Sequence, residues 1–112
     1  MRYLLMMAGE GGEEPSPSEI QAMPEFIAWE REMSRRGVLR GGARLRPPSD
    51  ATTVRVRDGD LLVSDGPFAE TKEQMGGYEI VECADLAEAI EVAGAHPGAT
   101  DGMIEIRPFW SE

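Results

Sequence analysis

The chain has 112 residues, 41% of them apolar, which suits one domain over residues 1–112 with a core that needs neither disulfide nor structural metal. A single cysteine, Cys83, and a single histidine, His96, exclude an intrachain disulfide, a Cys-based zinc site and a multi-His metal set within one chain. The net charge of −10 disfavours nucleic acid and anionic membrane as partners, and no apolar run approaches the ~20 residues of a membrane span, so a cytoplasmic protein without metal or cofactor is expected.

Residues 2–8, RYLLMMA, form a continuous apolar run of strand length. Such a run reads as a central strand covered on both faces. The Gly-, Glu- and Pro-rich stretch 9–17 reads as a loop. Ile20, Met23, Phe26, Ile27 and Met33 then recur at helical spacing. Pro24 resists a deep helical position, so the regular helix is expected from about Pro24 to Arg36, with Gly37 as its left-handed cap. Residues 38–48 read as a connector with a short strand at Ala43–Leu45.

The best local signal is TTVRVRDGDLLVS. Asp58-Gly59 predicts a two-residue hairpin turn. That turn pairs Arg57 with Asp60, Val56 with Leu61 and Val54 with Val63, which places the four apolar residues on one face, expected to be buried. Residues 65–77 form a long loop, with a helical turn expected at Ala69–Gln74. Tyr78–Cys83 reads as a strand, which Gly76-Gly77 would let begin with a bulge. Asp85 and Glu88 have capping-box spacing and open a helix whose apolar face is Leu86, Ala89, Ile90 and Ala93. Met103–Arg107 is the last strand, ended by Pro108.

The elements run strand, helix, a bracketed strand at Ala43–Leu45, further strands, helix and strand, with four main strands in the sheet. That order predicts an α+β fold of the ferredoxin-like, split βαβ kind, with two helices on one face of an antiparallel sheet. The other face has no cover in the chain, and a second copy of the sheet is the economical one, so a homodimer is expected.

Several residues are candidates for chemistry. Asp65 heads a D-G-P-F turn, where it serves either as a turn cap or as a general base or ligand-orienting carboxylate. His96 follows a helix end; it either bonds the last carbonyls or moves protons near neutrality. Lys72, the one lysine, makes a surface pair or touches an anion or carbonyl. Glu105 and Arg107 share a face of the last strand, where they bridge to each other's subunit or meet a ligand carboxylate. Phe68, Trp29 and Trp110 are expected to pack, and Cys83 to be an inert core thiol. Eight arginines against Glu32 and Asp50 give residues 31–57 a charge of +6, and the remaining residues carry −16. That segment is either a solvated face or an anion site.

The stretch DGPFAETKEQMGGYEIVE, with MRYLLMMA, AHPGA and IEIRPF, resembles the DGPF group of the YCII-related family over nearly the whole chain. The resemblance implies a dimeric ferredoxin-like α/β barrel. The family has no settled activity. Its fold is similar to that of muconolactone isomerases and antibiotic-biosynthesis-type monooxygenases, and its genes often neighbour extracytoplasmic-function sigma factors. A better-studied branch holds a His–Asp pair in a pocket; His96 is the only histidine available for one here. The readings carried forward are a cofactor-free small-molecule enzyme using Asp65 and His96 near the DGPF loop, and a ligand-binding, sensing or interaction module linked to sigma-factor regulation.

Overall fold

The computed structural model describes residues 1–10, 17–69 and 73–111. Its strands are β1 (Arg2–Glu10), β2 (Leu39–Arg44), β3 (Thr52–Arg57), β4 (Asp60–Asp65), β5 (Glu73–Glu82) and β6 (Met103–Pro108). Its helices are α1 (Pro17–Arg35), α2 (Leu86–Gly94) and the single turn α3 (Gly98–Asp101). Four strands form one sheet in the order β2-β5-β1-β6, and the pairs β1–β5, β1–β6 and β2–β5 are all antiparallel. This is the expected α+β, ferredoxin-like arrangement, with β1 in the interior of the sheet.

The fourth strand is not the expected one. The β3–β4 hairpin forms a separate two-stranded ribbon, and the bracketed strand, lengthened to Leu39–Arg44, takes the edge of the sheet. The chain reaches that edge at once after α1. Gly37 adopts φ 72°, the Val38 amide donates to the Met33 carbonyl and the Gly37 amide to that of Ser34. These are the two bonds of a Schellman cap, and Met33 and Val38 are both buried beside it. The Glu82 amide then donates to the Val38 carbonyl, starting the ladder with β5. Pro47 and Pro48 end the run, since neither has an N–H for a sheet.

The helix α1 begins before Pro24, contrary to expectation, and holds that proline within it. Pro24 is exposed and leaves the carbonyl one turn back without its helical donor. The buried side of α1 carries Trp29 and Met33, whereas Met23 and Ile27 are exposed. On α2 the buried residues are Ala89, Val92 and Ala93; Leu86 and Ile90 are exposed. Its N-terminus has the expected reciprocal cap, with the Glu88 amide donating to Asp85 Oδ1 (2.9 Å) and the Ala84 amide to Glu88 Oε1 (3.0 Å). Trp29 Nε1 donates to the Val92 carbonyl at 2.9 Å, tying α1 to α2.

The core lies between these helices and one sheet face. Tyr3 and Leu5 of β1, Val81 of β5 and Cys83 meet Trp29, Met33, Ala89 and Val92 there. On the opposite face stand Leu4, Met6, Tyr78 and Ile80, aligned by the pairs Leu4–Ile80 and Met6–Tyr78 and only partly covered. Gly76 is the extra residue where the β1–β5 register shifts, between Met7–Gly77 and Ala8–Met75. Glu73 and Gln74 belong to β5, so the helical turn expected at Ala69–Gln74 does not form there.

The ribbon has the expected register. Arg57 pairs with Asp60, Val56 with Leu61 and Val54 with Val63. Asp58 and Gly59 have φ 51° and 82°, the two positive values of a type I′ turn. Burial of the apolar stripe, however, is not seen: Val54, Val56, Leu61 and Val63 are 60–65% exposed. The register is local to the turn, whereas burial needs a packing surface that the other described residues do not provide.

Candidate functional site

The DGPF loop leaves the ribbon at Asp65, which pairs with Thr52 at the ribbon's base. Gly66 has φ 95°; its amide donates to the Ala51 carbonyl at 2.7 Å, and Thr53 Oγ1 donates to the Gly66 carbonyl at 2.7 Å. Backbone and Thr53 therefore hold this turn. The Asp65 side chain is exposed, and none of the hydrogen bonds among the described residues engages its carboxylate.

Beside this turn lies an open groove of about 400 Å³, lined by Leu45, Pro47, Pro48, Pro67, Phe68 and Met75 together with Thr52 and Thr53. The Arg46–Asp50 ion pair (2.8 Å) lies in the same lining. Phe68 is 89% exposed, so it forms a wall of the groove and not the core plug expected from the sequence. Trp110 is likewise exposed, not packed.

His96 lies elsewhere, on the helix side of the sheet and only 6% exposed. Its ring makes edge contacts with Trp29 (centroids 4.6 Å apart) and Phe26 (5.5 Å). The Gly98 amide donates to its Nδ1 at 2.8 Å, which leaves the proton of the neutral ring on Nε2. That buried atom has no hydrogen-bond partner among the described residues. Burial lowers the imidazole pKa to about 4, so the ring is neutral at pH 7. It does not bond the last carbonyls of α2; only its backbone amide does, to Ala93. No hydrogen bond or ring contact joins His96 to Asp65 among the described residues.

Glu105 and Arg107 stand on the open sheet face, opposite Met6 and Leu4. They pair with each other within the chain, Arg107 Nη2 to Glu105 Oε2 at 2.6 Å. Lys72 lies outside the described residues. Cys83 is buried; burial first, then the negative charge of Glu88, push its thiol up to about 11, which agrees with an inert core residue.

Sequence reasoning missed Glu79. It faces the helices, 5% exposed, opposite Leu5 and Gly42 in the sheet. A Cβ on Gly42 would overlap its carboxyl group, so that glycine makes room for the acid. Burial, and secondarily the charge of Glu30 on α1, raise its pKa to about 7. The signal was the alternation in β5: residues 77, 79 and 81 share a face, and Val81 marks that face as the core side. Among the described residues, no three His, Cys, Asp or Glu side chains come together as a metal set, and no helix is long and apolar enough to cross a membrane.

The strand order and the helix layer define a ferredoxin-like α+β protein. Residues 1–111 match the model of the YCII-related domain, and the chain belongs to that family. It is 39% identical over 91 residues to an uncharacterised protein of Rhizobium meliloti, a match covering 80% of this chain and 73% of that one. Among solved structures it is similar to 5-chloro-2-hydroxyhydroquinone dehydrochlorinase (TftG) from Burkholderia phenoliruptrix in complex with 2,5-dihydroxybenzoquinone. That likeness has a TM-score of 0.53 and 13% identity, and covers 100% of this chain and 96% of that one; it shows the fold.

Proposed function

We propose that this chain is a cofactor-free acid–base enzyme acting on a small, largely apolar molecule as a homodimer, the second copy closing the open sheet face as in a dimeric α/β barrel. One observation carries the reading. An apolar groove lined by Pro67 and Phe68 of the DGPF turn also takes in Thr52, the register partner of Asp65, whose carboxylate the turn itself does not use. A carboxylate free of structural duty can accept a proton from a bound substrate and return it. The groove's walls are proline, leucine, methionine and phenylalanine, which suit a planar ring better than a charged chain. The fold neighbour's complex with a dihydroxybenzoquinone points the same way. His96, neutral and enclosed by Trp29 and Phe26, acts in this reading as a packing residue, not as a partner of Asp65. The Glu105–Arg107 pair, engaged internally, lies on the face assigned to the dimer.

The test is a thermal-shift titration with 2,5-dihydroxybenzoquinone and related hydroquinones, followed by absorbance assays for their turnover. A bound compound raises the unfolding midpoint. Turnover that Asp65→Asn abolishes, with binding retained, is the expected result. Turnover equal in Asp65→Asn and the native chain would overturn the role of Asp65. Binding that Asp65→Asn leaves unchanged, with no turnover of any compound, would favour the sensing module over the enzyme.

A further inference from the structure

We infer that Arg46 sets the specificity of the groove beside the DGPF turn, and that the molecule taken there is a planar ring carrying an ionised oxygen, such as a hydroxyquinone or a ring carboxylate. This rests on the enzyme reading above and narrows its substrate class.

Arg46 stands in a stiff piece of chain. The Leu45 amide before it donates to the Gly76 carbonyl at 2.9 Å, tying the segment to β5. Pro47 and Pro48 follow it, each with a fixed φ. A single 3₁₀ turn over Pro48–Asp50 comes next, closed by the Asp50 amide on the Pro47 carbonyl (2.9 Å) and the Ala51 amide on the Pro48 carbonyl (3.0 Å). The Ala51 carbonyl in turn accepts from the Gly66 amide, so the same backbone braces the DGPF turn. Asp50 is thereby fixed in place, and it accepts from Arg46 Nε at 2.8 Å.

That bond occupies only the Nε edge of the guanidinium. No other hydrogen bond of Arg46 is found among the described residues, so the Nη1–Nη2 edge is open to a second anion. A guanidinium edge is a rigid fork that matches a charged oxygen or a pair of them. Exposure decides between an anion and a cation as the guest: the Arg46 side chain is 87% exposed and that of Asp50 43%, so the arginine is the charge a ligand meets.

The rest of the groove restricts the kind of anion. Arg46 and Asp50 are the only charged residues in its lining, and most of the others are apolar. Phe68, 89% exposed, offers a ring face for stacking. A flat ring with one charged edge satisfies both parts, the face on Phe68 and the oxygen at Arg46. The chain as a whole carries −10, so its overall field does not attract an anion; a preference for one has to come from a local cation. The residue that reads the anion and the residue that takes the proton, Asp65, are then different side chains.

The experiment is calorimetric titration at neutral pH of the native chain, Arg46→Gln and Arg31→Gln with two probes. One is 2,5-dihydroxybenzoquinone, a vinylogous acid that is ionised at that pH; the other is its neutral dimethyl ether. The native chain should bind the anion at least fivefold more tightly than the ether, a modest factor because water screens so exposed a guanidinium. Arg46→Gln should cut that preference below twofold by weakening the anion alone. Arg31→Gln, the same charge change on the exposed side of α1, should keep it. Added salt should weaken the anion and leave the ether unchanged. A preference that survives Arg46→Gln, an equal loss in Arg31→Gln, or tighter native binding of the ether would overturn the role of Arg46 and leave the groove and Asp65 standing. Failure of both probes to bind the native chain would overturn this inference and the enzyme reading together. An Arg46-dependent preference without turnover would uphold Arg46 and discard the enzyme. Should Arg46→Gln not fold, the Nε–H resonance of Arg46 in the native chain decides: a shift with the anion and none with the ether supports the contact, and no shift with either refutes it.

Discussion

The sheet-and-helix body and the β3–β4 ribbon are built from residues of similar kind, yet they end in opposite environments. In the body, Tyr3, Leu5, Val81 and Val92 are shielded by helices of the same chain. In the ribbon, Val54, Val56, Leu61 and Val63 are equally apolar and equally well aligned, and remain exposed. Alternation and turn chemistry act over a few residues and set which side chains share a face. Whether that face is buried depends on what packs against it, a non-local matter. The body meets that need within the chain, whereas the ribbon's stripe stays 60–65% exposed.

The largest expected effect is in the body. Trp29→Ala removes a buried ring and the Nε1 bond to Val92, and should cost about 3–5 kcal/mol in urea unfolding. Val56→Ala, measured the same way on the monomer, should cost less than ~1 kcal/mol. Equal losses would erase the distinction between the two regions.

Two buried groups of the body titrate in opposite senses. Glu79 has its pKa raised to about 7 from the unfolded 4.5, so its contribution is full below about pH 4.5 and is lost as pH rises through 7. His96 has its pKa lowered to about 4 from 6.5, so its contribution is full above 6.5 and is lost as pH falls through 4. Between pH 4.5 and 6.5 the two slopes oppose each other. Relative to the native chain, Glu79→Gln should make stability fall more steeply as pH drops through that window. His96→Phe should make it fall more steeply as pH rises. Denaturant unfolding at half-unit pH steps checks both; parallel profiles for all three proteins would refute the opposition.

Smaller effects sharpen the comparison. Gly59→Val places a β-branched residue at φ 82° and should cost about 1–2 kcal/mol, read as lost cross-strand contacts in the ribbon by NMR while the body's spectrum is kept. Asp85→Ala removes the α2 cap and should cost about 1 kcal/mol, read from the thermal midpoint.

Much of this was legible in the chain. The Asp58-Gly59 register, the Gly37 and Asp85 caps, the Gly76 bulge and the central place of β1 all rest on short-range rules, and all are present. The edge strand β2 was half-visible, because Gly41 and Gly42 weaken a strand signal; Gly42 stands there to admit the Glu79 carboxyl. Phe68 and Trp110 read as packing residues because large aromatics usually pack, and nothing local signals that no neighbour reaches them. Asp65 was legible as a candidate from its turn. Its independence from that turn depended on Thr53, thirteen residues from Gly66 in sequence, and could be seen only in three dimensions.

The most direct test of the division between body and ribbon is native-state amide hydrogen exchange. The cross-strand amides of β3 and β4, whose stripe is exposed, should exchange at least tenfold faster than those of Leu5 and Val81 in the core. Ribbon amides as strongly protected as those of Leu5 and Val81 would contradict the account.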